Sequence, residues 1–185
     1  MQRADEHGGA QENRSQKCML HRGCLFCKTG KEKEVVQQMG LYAPALRAIA
    51  PVKLRYRRVG GVALEEKVSL IPGYVFFESS EGELPARLTR LENVLRLLTY
   101  PDGDWKLTGY DDQFAKMLFK ADGVIGFSKA IFDEGNRIHI LDGFMKDYEG
   151  SIIRVNRRAR TAEVSVDFQG KKISMWLGYE LLQKM

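Results

Sequence analysis

The chain is poor in the residues that most often carry metal or redox chemistry, with three cysteines and three histidines among 185 residues. An odd cysteine count argues against a closed disulfide framework and for free thiols. No apolar run approaches the roughly 20 residues of a membrane span. The opening stretch, MQRADEHGGAQENRSQK, is polar and has no apolar core of a secretory leader. The expectation is a soluble, cytoplasmic protein. Paired acid/base motifs, a phosphate-binding glycine loop and a convincing metal set are all missing, so the reading is a non-enzyme with no cofactor. Charge of one sign is not dominant either. Twenty-nine Lys and Arg against 24 Asp and Glu leave a net charge of +5, which permits nucleic-acid binding without demanding it; placement decides.

The cysteines that are present fall close together, in CMLHRGCLFC. Cys18, His21, Cys24 and Cys27 are equal in number to the ligands of a tetrahedral zinc site. Structural zinc sites usually draw ligand pairs from two turns separated by a longer loop, and four ligands spaced by three need a tight, irregular wrap. A strand through residues 24–28 instead sends Cys24 and Cys27 to opposite faces. The preferred reading is core thiols, since buried cysteine behaves as a small hydrophobe.

Residues 1–17 lack periodicity and read as a disordered tail. Gly23 to Lys28 reads as a strand, followed by a helix with Val35, Val36, Met39 and Leu41 or Tyr42 on one face. Thr29 and Glu32 fit a capping box at its start. PVKLRYRRVGGVALEEKVSLIPGYVFF contains two strand-like runs flanking Gly60-Gly61, a hairpin signal, and a third run after Pro72-Gly73. Residues 84–92 read as a helix and NVLRLLTY as a strand. Phe114, Met117 and Leu118 mark another helix beginning near Asp111 and Asp112. This order points to an α+β sandwich on an antiparallel sheet. Two glycines in KADGVIGFSKA place a linker at residues 120–130. Short strands with DG, RRAR and QG turns then fill residues 131–185, as in a small all-β barrel.

Three stretches carry a family resemblance. GCLFCKTGKEKEVV is similar to the opening strand and helix of the NusG N-terminal (NGN) domain. LIPGYVFFES, preceded by the basic hairpin RYRRVGG, resembles that domain's FPGY-V-V strand. RIHILDGFMKDYEGSIIRVN resembles a KOW motif, with Gly150 at its glycine position. The order and spacing fit a NusG-type protein over residues 22–185, with an NGN-like domain at 22–119 and an SH3-like KOW barrel at 131–185. FCKTGKE and the basic turn RVNRRARTAEV are similar to the specialised paralogues of the LoaP and RfaH kind.

The resemblance implies a monomeric bacterial transcription elongation and antitermination factor. A housekeeping NusG coupled to Rho or the ribosome, and a stand-alone KOW-type RNA-binding protein, are the alternatives. Its apolar pocket for the RNA polymerase clamp helices maps to Tyr74, Phe76 and Leu97. Lys28, Lys31, Lys33, Arg57 and Arg58 match basic regions near non-template DNA. In the KOW part, Arg154, Arg157, Arg158, Arg160, Lys171 and Lys172 are candidates for contact with a nascent RNA hairpin through backbone and shape. Tyr148 matches a position that faces NusE or Rho, and it reads equally well as core. A polar gate-loop motif belongs near Leu84–Arg87, where the sequence is LPAR, without the His-Thr-Thr pattern.

Overall fold

The first strand, β1 (His21–Cys27), is the centre of the N-terminal half in the computed structural model, which describes residues 20–84 and 87–182. The tail at 1–17 and Cys18 lie outside the described residues, as do Pro85 and Ala86 of the gate-loop position. β1 pairs antiparallel with β5 (Tyr74–Ser79) on one side and β6 (Val94–Leu97) on the other, and β2 (Arg47–Ile49) completes the order β2-β5-β1-β6. Both faces of this sheet are apolar because both are covered. Leu25, Cys27, Val75 and Phe77 face α1 (Glu32–Tyr42), meeting Val35 and Met39. Cys24 and Phe76 face the other way, toward Phe114, Leu118 and Phe119 of α2 (Gly109–Lys120).

The basic hairpin forms where Gly60-Gly61 predicts it. β3 (Val52–Val59) pairs with β4 (Val62–Ser69) from Val52↔Ser69 to Val59↔Val62, and both glycines have positive φ. Here the turn needs glycine's freedom. The capping box does not form. Lys31 is the N-cap residue without a side-chain bond, and the Glu32 carboxylate is buried, accepting the Gly73 N–H at 2.6 Å. A tertiary partner has outcompeted the local one. Of the helix expected over 84–92, the described residues show a 3₁₀ turn at Leu88–Arg90.

The C-terminal half is a five-stranded sheet of order β10-β11-β12-β8-β9, from β8 (Ser128–Phe132), β9 (Ile138–Asp142), β10 (Ile152–Asn156), β11 (Thr161–Phe168) and β12 (Lys171–Leu181). A run of 3₁₀ turns covers Phe144–Ser151. Alternation in TAEVSVDF buries Ala162, Val164, Val166 and Phe168, as period two requires. Residues 120–130 are not a free connector. β7 (Val124–Ile125) adds to β3 in parallel, and the barrel begins inside the expected linker, at Ser128, whose strand pairs with both β9 and β12. No helix among the described residues is long and apolar enough to cross a membrane.

One glycine fixes the N-terminal core. A Cβ on Gly23 would sit 2.3 Å from Phe77 Cζ and 2.8 Å from Trp105 Cε3, two rings stacked with centroids 5.5 Å apart. Replacing Gly23 by valine is therefore expected to destabilise the chain by about 1–3 kcal/mol through overpacking, read as a lower urea midpoint.

Candidate partner-binding face and basic surfaces

Tyr74 and Phe76 lie two apart on β5 and share a face with Phe26 and Cys24 of β1, through the register Cys24↔Phe76 and Phe26↔Tyr74. Leu97 is not on that face. It pairs with Leu25 and packs with the α1 core, and Leu98 joins the Phe76 side instead. The strand alternation that unites Tyr74 with Phe76 separates Leu97 from them.

This face is occupied by the chain itself. Phe168, at the tip of the β11–β12 hairpin, places its ring 6.1 Å from Tyr74, 5.4 Å from Phe76 and 5.8 Å from Phe114, all in tilted or edge-on geometry. Such aromatic contacts contribute about 0.5–1.5 kcal/mol each beyond area burial. Next along the chain, Gln169 donates its backbone N–H to Asp111 Oδ1 at 3.0 Å, and Asp111 Oδ2 accepts the Tyr100 hydroxyl at 2.7 Å. One α2 carboxylate thus ties the barrel's hairpin tip to the N-terminal half.

Tyr148 belongs to the same seam. Its ring stacks on Phe144 at 5.3 Å and stands edge-on to Phe114 at 6.4 Å. Burial pushes its phenol up to about 12, with the Asp147 carboxylate adding to the effect. A second seam runs through Phe127, which stacks on Tyr56 of the hairpin at 4.4 Å and lies against Gly178 of β12, where a Cβ would be 2.4 Å from the ring.

Cys24 and Cys27 are buried on opposite sides of β1 and are free thiols. Burial raises Cys24 well above the ordinary thiol range, and raises Cys27 to about 11 with help from Glu32. Both are protonated core groups at neutral pH. Among the described residues no three His, Cys, Asp or Glu side chains are grouped to hold a metal ion.

The expected DNA-facing cations lie on two separate elements. Lys28 and Lys33 are exposed at the start of α1, while Lys31 Nζ is spent on Glu34 at 2.6 Å. On the hairpin, Glu66 lies 4.0 Å from Arg57 and also pairs with Arg55, whereas Arg58 has no ion pair among the described residues. The six barrel cations do not make one patch. Lys171 and Lys172 lie beside Phe168, and Arg157–Arg160 lie past the other end of β11, roughly 20 Å away along an eight-residue strand. Arg154 pairs with Glu163 at 3.7 Å. Arg157 is structural: its guanidinium sits 4.2 Å over the Phe132 ring and donates to the Asn136 carbonyl at 2.8 Å.

The docking residues Phe168, Asp111, Gln169 and Phe127 escape sequence reasoning. Phe168 reads only as the last inward position of an alternating strand, and nothing local marks what it meets.

No family model matches the chain, and no curated protein matches its sequence. Among solved structures it is similar to the NusG of Thermotoga maritima, in a structure described for its domain interaction. That match has 17% identity and a TM-score of 0.54, and covers 86% of this chain and 94% of the other. The likeness establishes a NusG-like α+β fold with a sheet-rich C-terminal part.

Two outcomes follow from the docked arrangement. Truncating Phe168 to alanine is expected to cost the docked state about 3–5 kcal/mol and to separate the halves, seen as a larger radius of gyration by small-angle scattering with β-sheet circular dichroism retained. Tyr148 has a folded pKa above its unfolded value of about 10. Its contribution is therefore complete below pH ~10 and is lost as pH rises through about 12. Alkaline unfolding followed at pH 9–12 is expected to start at higher pH in Tyr148→Phe than in the parent chain.

Proposed function

We propose that the chain is a transcription elongation factor that binds RNA polymerase through the Tyr74–Phe76 face and promotes antitermination, as a specialised, operon-selective NusG paralogue of the LoaP or RfaH kind. The observation that carries this reading is an aromatic sheet face covered by a second unit of the same chain. Aromatic side chains in a desolvated patch are what a partner helix pair would use as binding anchors. Here they are held in reserve by Phe168. Exchange of Phe168 for a partner would replace one apolar cover with another, and only the difference between the two affinities sets how much protein is engaged.

On this reading Tyr74 and Phe76 contact the clamp helices, and Leu97 acts from behind the sheet through packing. Lys28 and Lys33, with Arg57 and Arg58 on the hairpin, would lie along non-template DNA and add salt-dependent affinity without sequence readout. The arginine turn of the barrel is suited to RNA backbone, since guanidinium forks match phosphate. Tyr148 is available to NusE or Rho only once the barrel has left the seam. The chain would act as a non-enzyme: its effect is to favour the closed, pause-resistant polymerase, and no step in that role breaks a covalent bond. The domain division follows, with the N-terminal unit as the polymerase anchor and the barrel as the adaptor. A cytoplasmic location goes with such a partner.

The test is binding to bacterial core RNA polymerase in a pull-down or by interferometry. Tyr74→Ala with Phe76→Ala, folded by circular dichroism, should lose binding, and Phe168→Ala should bind at least tenfold more tightly than the parent chain. Failure of both the parent and Phe168→Ala to bind would sink the proposal.

A further inference from the structure

The second seam brings together two basic segments that are about a hundred residues apart in the chain. On the N-terminal side stands the β3–β4 hairpin with Tyr56 and Arg58. On the barrel side stands the Asn156–Arg160 turn between β10 and β11. The pairing of Tyr56 with Phe127, and of Phe127 with Gly178, sets the hairpin against the barrel. Between them runs a groove of about 750 Å³, lined mainly by Tyr56, Arg58, Asn156, Arg157, Arg158 and Arg160, with no carboxylate in its wall.

The cations in this groove differ in what they already do. Arg157 is committed to Phe132 and Asn136. The side chains of Arg58, Arg158 and Arg160 are exposed and make no hydrogen bond or ion pair among the described residues. Outside the wall, Glu180 accepts the Tyr56 hydroxyl at 3.5 Å and Glu65 stands across the strand pair from Tyr56. Three unpaired guanidinium groups round one groove repel one another, and an anion relieves that cost. The turn that presents two of them is rigid. Asn156 Oδ1 accepts the Ala159 N–H at 2.9 Å, Arg160 adopts a left-handed φ of 52°, and its carbonyl accepts the Tyr179 N–H at 2.9 Å. The backbone that carries these arginines is thus set before any ligand arrives.

Tyr56 selects among anions. Its ring is 45% exposed, one face is taken by Phe127, and the ring lines the groove. An aromatic face beside unpaired arginines matches a phosphate chain whose bases are unstacked. A duplex keeps its bases from such a ring, and a simple polyanion has no use for it.

We propose that a single strand of nucleic acid binds across this groove, with phosphates on Arg58, Arg158 and Arg160 and a base on Tyr56, and that the site is complete only while the barrel is docked. The proposal rests on the reading of the chain as a nucleic-acid-associated transcription factor. It turns two cation sets expected to serve separate ligands into one site. By linkage, a bound strand stabilises the docked state and holds the Tyr74–Phe76 face covered, so strand and polymerase would oppose one another.

The test is fluorescence anisotropy of the full chain with labelled oligouridine and oligothymidine of about 12 nucleotides, between about 50 and 200 mM salt. Arg58→Ala and Arg158→Ala are each expected to weaken binding roughly fivefold or more and to flatten the salt slope by about 0.7. Tyr56→Ala should weaken it by a similar factor, and Tyr56→Phe should restore it. In the Phe168→Ala background, adding Arg58→Ala should have no further effect. Equal affinity for the two oligomers assigns the contacts to phosphate and base stacking, and preference for RNA adds the 2′-hydroxyl. If Arg158→Ala weakens binding and Arg58→Ala does not, the shared groove is overturned while RNA binding by the barrel stands. If Arg58→Ala keeps its full effect in the Phe168→Ala chain, dependence on docking is overturned. If neither oligomer binds the parent chain, the groove proposal is overturned, while the polymerase reading stands or falls on the pull-down alone.

Discussion

The contact of Phe168 with Tyr74, Phe76 and Phe114 joins what would otherwise be two small proteins. Each half has its own sheet, and each sheet buries side chains that alternate along its strands. The N-terminal sheet, however, is apolar on both faces, and its own helices cover only part of the second face. A strand that reads YVFFE must find a second cover. The hairpin tip of the barrel supplies it with one ring, and Asp111 secures the tip through the Gln169 backbone and Tyr100. Besides this ring and carboxylate, Phe144 and Tyr148 meet Phe114, and Phe127 stacks on Tyr56 at the second seam; interfaces of a few side chains between units are where relative domain motion is expected.

Around this contact the charged groups divide into those that hold the fold and those that are left free. Arg22 binds Glu78 and Asp112, both at 2.9 Å, and Arg47 reaches Glu78 and Asp122. Glu78 is buried between two arginines, so losing Arg22 would leave it only the 3.4 Å contact to Arg47. Arg157 is likewise committed to its neighbours. Three cations without an ion pair among the described residues, Arg58, Arg158 and Arg160, meet at the second seam. A modest net charge thus conceals a local excess, because the acids are spent elsewhere.

Much of the architecture was legible along the chain. The glycine pair predicted the β3–β4 hairpin, the spacing of Phe114 and Leu118 predicted α2, and short strands separated by turn residues predicted the barrel. These are local patterns, fixed by the period of the element. Misreadings came where a distant partner won. Glu32 left its cap for Gly73, the described residues of 84–92 hold a 3₁₀ turn at Leu88–Arg90, and the supposed linker was drawn into β7 and β8. Leu97 shows a finer limit. Its strand was read correctly, but its face follows from the register with Leu25 and not from its resemblance to a family position.

By itself the sequence determined most of the elements, the placing of Tyr74 with Phe76 on one face and the burial of Cys24 and Cys27 as core thiols on opposite faces of β1. Alternation and turn chemistry act over a few residues, so they are written where they act. Only the tertiary structure decided what covers the aromatic face, which arginines remain free, and that Arg58 and Arg158 border one groove. Those outcomes depend on contacts between residues up to about a hundred positions apart, which no local period encodes.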